Sequence, residues 1–292
     1  MFIQKTFKNH LPTIYLIGTP IGNLEDISFR AIDTFKSVDA ILCEDTRTSS
    51  VFLKHYEINK PLISLHKFNE AERVDLIIEH LNKHENLAQI SDAGVPAISD
   101  PGAKLINILR YERNYDFNVS AINVGPAYIH AICMSGFTLK ENFFYGFIEN
   151  KNDASKKKEL REVFKSHENE IISFYESVHR IKQTINTMNE ILASDTRITL
   201  NRELTKLNEE VIYGTIKEVN DFINSDDFIQ KGEFVIVIEN LKTKKEVSEQ
   251  ELIELMNEEI NKGLKVKQAA SVVANEYDLT KNYLYDLYLK NK

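Results

Sequence analysis

Gln89-Ile90-Ser91-Asp92-Ala93-Gly94-Val95-Pro96-Ala97-Ile98-Ser99-Asp100-Pro101-Gly102 is the stretch that decides the fold. An apolar run at 87–90 reads as the end of a buried strand, and an apolar helical pattern at 103–109 follows the loop. A strand that opens into a small-residue loop and then a helix places that loop at the carboxyl edge of a parallel sheet, where open α/β sheets bind ligands. Gly and Ala let a ligand approach the backbone, and two prolines hold the loop in shape. An ordinary strand-to-helix turn needs two to six residues, so this loop is longer than a turn requires.

The same alternation recurs on either side. Strands are expected at 13–17, 38–43, 61–65, 87–91 and 118–123, each followed by a helical pattern. This makes a parallel α/β domain over 13–137, preceded by an extension at 1–12. The loop at 18–24 is neither GxGxxG nor a phosphate loop ending in Gly-Lys-Ser/Thr, which argues against nicotinamide and ATP. Ser28 is placed to cap the first helix. After residue 137 the texture changes. An aromatic strand at 142–148 leads into a polar stretch at 149–158, read as a flexible loop carrying Lys156, Lys157 and Lys158. Strands at 170–175, 197–200, 211–213 and 234–238 complete a smaller mixed sheet, so a second α/β domain is expected over 138–240. The tail at 241–292 is helical with a helix-turn-helix pattern. It holds nine basic and nine acidic residues, so it is not a basic module, and nucleic-acid binding, packing and dimerisation all stay open.

Composition narrows the function classes. A net charge of −8 argues against coating nucleic acid by bulk charge but allows a local basic patch. No apolar run approaches the ~18 residues of a membrane span, and the first residues lack a signal core. Cys43 and Cys133 sit in apolar runs and read as buried thiols in a reducing cytosol. No zinc-ligand spacing is present, so no metal is expected.

Charged clusters fall at strand ends: Glu44-Asp45-Thr46-Arg47, Glu176-Ser177-Val178-His179-Arg180, and Arg202-Glu203-Leu204-Thr205-Lys206. Glu44, Asp45, Glu176 and Glu203 are candidate bases, and Arg47, Arg180, Arg202 and Lys206, with the three lysines at 156–158, candidate phosphate contacts. Helix caps and surface salt bridges explain the same residue types equally well. A lone His66 reads as a local hydrogen-bonding residue.

Several motifs occur in order: Gly18-Thr19-Pro20-Ile21-Gly22-Asn23-Leu24-Glu25-Asp26-Ile27, Glu44-Asp45-Thr46-Arg47-Thr48, Ser64-Leu65-His66-Lys67-Phe68-Asn69-Glu70, the loop at 91–102, Tyr175-Glu176-Ser177-Val178-His179-Arg180, Arg202 to Glu210, and Lys231-Gly232-Glu233-Phe234-Val235. Together they resemble the small-subunit ribosomal RNA ribose methyltransferase I family, of tetrapyrrole-methylase fold, over nearly the whole chain. The resemblance implies S-adenosylmethionine as cofactor and the 2′-hydroxyl of a cytidine in the decoding centre of 16S rRNA as acceptor. It also implies a homodimer working in the cytoplasm on the small ribosomal subunit. The cofactor would be held by Pro20 and Ile21, by Asp92, Ala93, Gly94, Val95 and Ile98, by Gly125, Ala127 and Tyr128, and by Tyr175 and Asn201. Three positions depart from the family pattern: Val95 replaces Thr, Val124-Gly125-Pro126-Ala127-Tyr128 replaces Pro-Gly-Pro-Ser-Ala, and Glu149 replaces the Pro of Gly-Phe-Leu-Pro. Ala127 supplies no hydroxyl beside the cofactor. Two alternatives therefore stand beside the ribose methyltransferase: a methyltransferase of a corrinoid or porphyrin precursor, and a non-catalytic ribosome-binding factor.

Overall fold

A computed structural model describes residues 1–149, 152–242, 249–277 and 279–291. In chain order the elements are β1 (Phe2–Gln4), β2 (Thr13–Ile17), α1 (Phe29–Ser37), β3 (Ala40–Cys43), α2 (Thr46–His55), β4 (Leu62–Ser64), α3 (Glu70–Asn82), β5 (Leu87–Gln89), α4 (Ala103–Asn107) and β6 (Asn118–Ile122). Then come α5 (Ala127–Ser135), β7 (Glu141–Phe147), α6 (Asp153–Ser166), β8 (Glu170–Glu176), α7 (Ile181–Asn189), β9 (Arg197–Arg202), β10 (Glu210–Thr215), α8 (Ile216–Ile223) and β11 (Phe234–Asn240). Three helices close the chain: α9 (Glu249–Asn261), α10 (Val266–Tyr277) and α11 (Lys281–Lys290). Among the described residues no helix is long and apolar enough to cross a membrane.

The parallel sheet has the order β4-β3-β5-β2-β6. β3, β5 and β6 are buried along their whole length because helices cover both faces, which is why they read as continuous apolar runs. β5 is the central strand, so the loop at 90–102 leaves from the middle of the sheet. The second sheet has the order β1-β10-β9-β11-β8-β7 and is mixed, with β7 parallel to β8 and the remaining pairs antiparallel.

The two sheets belong to one compact unit, Met1–Leu241. α5 joins them: Ala131 and Ile132 pack with Ile171, Val235 and Val237 of the mixed sheet. Residues 2–4, read from sequence only as an extension, form the edge strand β1, pairing Phe2 with Tyr213 and Gln4 with Val211. Arg110 seals that junction. Its guanidinium lies 3.9 Å from the Phe2 ring, 4.3 Å from Phe117 and 4.7 Å from Tyr213, and donates to the Phe117 carbonyl at 2.6 Å. Aromatic faces around a buried guanidinium offset part of its lost hydration.

Residues 242–292 form a separate compact unit. Leu252, Met256, Ala269, Val273, Leu284 and Leu287 make a small core of its own. The Thr280 hydroxyl accepts from the backbone N–H of Tyr283 and caps α11.

One expectation is corrected. The stretch at 149–158 is not a loop throughout: Asn152 caps α6, which starts at Asp153 and carries all three lysines. Leu160 and Phe164, buried under the mixed sheet, hold it in place. The apolar period that defines this helix lies beyond residue 158, so the polar first turns gave no sign of it. Asn150 and Lys151 lie outside the described residues.

Candidate active site

The loop after β5 is the hub of the parallel sheet's carboxyl edge. Thr19 and Gly94 exchange backbone hydrogen bonds of 2.8 and 3.2 Å, pairing the loop after β2 with the hub. The Asp92 carboxylate accepts from the Asp45 N–H at 3.4 Å, bringing in the loop after β3. Glu70, buried at the start of α3, accepts from the N–H groups of Gly102 and Leu105. It thereby caps α4, whose own cap position is a glycine. Inside the hub, the Pro101 carbonyl accepts from Ala97 N–H at 3.1 Å and from the Gln89 amide at 2.6 Å. The loop after β6 closes the ring. Gly18 N–H donates to the Ile122 carbonyl, and the Asn123 amide donates to the Gly18 carbonyl at 2.9 Å. A Cβ on Gly18 would stand 2.2 Å from the Asn123 carbonyl oxygen, so only glycine permits this approach.

The mixed sheet meets the same edge. The Tyr175 hydroxyl, at the end of β8, accepts from Tyr128 N–H at 3.3 Å. This matters because Pro126, at the cap position of α5, offers no side-chain hydrogen bond. A serine at 127 is absent, and a tyrosine from the other sheet satisfies one of the helix's free N–H groups. Tyr128 stacks on Phe144 at 4.1 Å, and Tyr175 meets the same ring edge-on at 4.8 Å. Val211, Asn201, Val235 and Tyr175 lie in one row across β10, β9, β11 and β8. Directly paired positions share a face, here the face that carries Val235 against α5.

These residues suit a small polar cofactor. Ser91 Oγ and Asn201 Oδ1 are buried and find no partner among the described residues. Such orphaned atoms call for an explanation, and a bound ligand is one. Beside Gly125, at φ +92°, a Cβ would meet nothing within 4 Å, so the turn opens onto free space. Hub carbonyls and the Asn201 side-chain oxygen thus offer acceptors, and the Gly125 turn open space, to a small polar ligand.

The candidate bases separate by environment. Burial raises the Glu44 pKa, and the nearby charges of Asp100 and Asp92 raise it further, against Lys67 and His66. Asp45 is different. Its carboxylate caps α2 and accepts from Arg47 Nη2 at 2.7 Å, and these bonds pull its pKa down to about 2. Glu176 is buried and spent on structure. One oxygen accepts from Ser177 N–H and Arg180, the other from the Thr184 hydroxyl at 2.7 Å. Glu203 accepts from Lys206 at 2.7 Å and from Glu233 N–H, which lower its pKa.

The cationic residues divide in the same way. Arg47 is exposed and Lys206 half-exposed. Arg180 is tied to Glu176, and Arg202 is buried against Glu210 at 3.2 Å. Lys156 is fully buried with its ammonium on Gln183, out of reach of any phosphate, while Lys157 pairs with Glu190 and Lys158 with Glu162. Pro20, Ile21, Ala93, Val95 and Ile98 lie on the paired first loop and the hub, as their positions require.

Ala97, Asn123, Glu203 and Thr205 have φ of +68°, +59°, +53° and +66°. Thr205 is β-branched, so its left-handed backbone costs about 1–3 kcal/mol and needs support. Glu209 provides it by accepting from Thr205 N–H at 2.6 Å. No sequence signal distinguishes these four positions, apart from the tolerance of Asn for this region.

Comparison with known proteins follows this geometry. Residues 13–220 match the model of the tetrapyrrole (corrin/porphyrin) methylases. A ribosomal RNA small subunit methyltransferase I of Bacillus subtilis is 42% identical over 96% of this chain and 95% of its own length. The protein of the same name from Haemophilus influenzae is 40% identical over 93% and 94%, and one from Streptococcus pyogenes serotype M3 is 38% identical over 98% of both. With its motifs converging on one sheet edge and its relatives matched end to end, the chain belongs to the ribosomal RNA small subunit methyltransferase I family, within the tetrapyrrole methylases.

Proposed function

We propose that this protein transfers a methyl group from S-adenosylmethionine to the 2′-hydroxyl of a cytidine ribose in the decoding centre of 16S rRNA. The observation that carries the reading is the hub: loops after β2, β3, β5 and β6 tied together beside a carboxylate of raised pKa. Supporting it are the names of the relatives. Bound S-adenosylmethionine supplies an electrophilic methyl group for in-line displacement. Positioning is the chain's largest contribution, since alignment of two reactants can be worth about 7–11 kcal/mol. Hub carbonyls, Gly125 and Asn201 would hold the cofactor, with the Tyr128–Phe144–Tyr175 cluster beside them. Glu44 would receive the ribose proton as the O–C bond forms and the methyl–sulfur bond breaks, the donor leaving as the neutral thioether. A raised pKa makes Glu44 a stronger base than an ordinary carboxylate. The positive charge of the donor disappears in the reaction, so backbone carbonyls suit it better than a close carboxylate clamp.

The reading includes the assembled small subunit as substrate, a homodimer, and a cytoplasmic location. Arg47, Lys206, Lys157 and Lys158 remain as phosphate contacts. Calorimetry with S-adenosylmethionine and mass analysis of 16S rRNA from a deletion strain test it. Heat of binding and loss of one ribose methyl are expected. No heat at millimolar ligand would instead favour a non-catalytic ribosome-binding factor, and an unchanged rRNA with ligand binding would favour a tetrapyrrole substrate.

A further inference from the structure

The turn between β4 and α3 holds a large exposed aromatic ring in a fixed place. Phe68 is 90% exposed. Its loop is nonetheless stapled. His66 N–H donates to Asn69 Oδ1 at 2.7 Å, Asn69 N–H to the His66 carbonyl at 2.9 Å, and the Asn69 amide to the Ser64 carbonyl at 3.2 Å. Phe68 N–H donates to His66 Nδ1 at 3.3 Å. Buried Glu70 anchors the next residue to α4. The ring is therefore displayed by a rigid turn.

A single exposed apolar side chain is commonplace. Its surroundings set this one apart. β4 pairs with β3, Ser64 opposite Cys43, and Leu65 N–H donates to the Cys43 carbonyl at 2.8 Å, so the turn that follows leaves the sheet beside Glu44, the proposed proton acceptor. Lys67 also borders a cleft of about 620 Å³, where Lys104 and Lys140 stand together with Glu70, Asp100 and Glu112. A flat π face beside cations matches a nucleotide: the base stacks and the phosphates lie along the lysines. A protein partner fits less well, because interface cores are depleted in charge.

Resting on the function proposed above, we propose that Phe68 is the stacking platform for a nucleobase of the RNA substrate, beside the ribose that Glu44 serves. Lys67, Lys104 and Lys140 then take the flanking phosphates, with Asp100 and Glu112 between them excluding a closer approach of the backbone.

Full-length Phe68→Ala, Phe68→Leu and Phe68→Trp variants test this with small ribosomal subunits from a deletion strain. Filter binding, steady-state kinetics and sedimentation are the readouts. Alanine and leucine should weaken RNA binding about five- to 150-fold and raise KM for RNA, with KM for S-adenosylmethionine and the thermal midpoint unchanged. Tryptophan should stay near wild type. The proposal is overturned if alanine binds RNA as wild type does, if leucine rescues as well as tryptophan, or if the alanine variant sediments as a smaller species, which would put the ring against a second copy of the chain. A wild-type protein that binds RNA but transfers no methyl would sink the catalytic reading alone; the binding arm would still decide Phe68.

Discussion

The strand ends of the two sheets look alike in sequence and differ in physical state. Both carry acids, arginines and hydroxyls in short clusters. At the mixed sheet the carboxylates are used up: Glu176 holds Arg180 and Thr184, Glu210 holds Arg202, and Glu203 and Glu233 hold Lys206, which stays half-exposed. At the parallel sheet Glu44 sits half-buried among like charges, and the loops are tied mainly through their backbones. A satisfied carboxylate is a structural part, whereas one held near its own kind is poised to take a proton. Residue type at a strand end does not reveal which case applies.

Substitutions at the two edges should separate these states. Glu44→Gln should lower kcat by about 10²- to 10⁴-fold, while calorimetry finds cofactor binding and thermal stability retained. A variant that keeps its turnover would move the base elsewhere. At the mixed sheet, Glu176→Ala should cost about 3–5 kcal/mol of stability, because Arg180 and Thr184 lose a buried partner; urea unfolding reads this. An active but destabilised variant sharpens the contrast, and an undamaged fold would dissolve it.

The pH dependence follows from the same carboxyl. Only ionised Glu44 accepts a proton, and its pKa is raised, so activity should fall on acidification at a higher pH than an ordinary glutamate would give. Asp100→Asn removes a raising charge and should move that acid limb to lower pH. A limb unmoved by this change would place the titrating group away from Asp100. Smaller still, Tyr175→Phe should cost about 1 kcal/mol by leaving Tyr128 N–H unpaired, and Lys206→Ala should leave the thermal midpoint unchanged while reducing the salt slope of RNA binding by about one.

The parallel sheet was legible because its strands are buried on both faces and its loops carry Gly and Pro at the turns. The hub was legible for the same reason. Three things were not. α6 opens with polar turns whose anchor, Leu160 and Phe164, comes later. β1 is only three residues long, and its partner strand lies near residue 212. The standing of each charged residue depended on its three-dimensional neighbours: Lys156 is lysine by type, yet it packs as a core residue. Glu70 opens α3, yet its side chain caps a different helix, α4, which no local pattern announces. The chain's two cysteines behave as their apolar runs suggested, with burial pushing both thiols up in pKa and away from reactivity.

The strand at residues 2–4 has a consequence for biosynthesis. Gln4 and Tyr213 touch, although 209 positions separate them. On a growing polypeptide the leading segment emerges early and must wait for its partner strand to be made. Contacts this distant are slow to form, so the junction around Arg110 should be among the last parts of the molecule to become watertight.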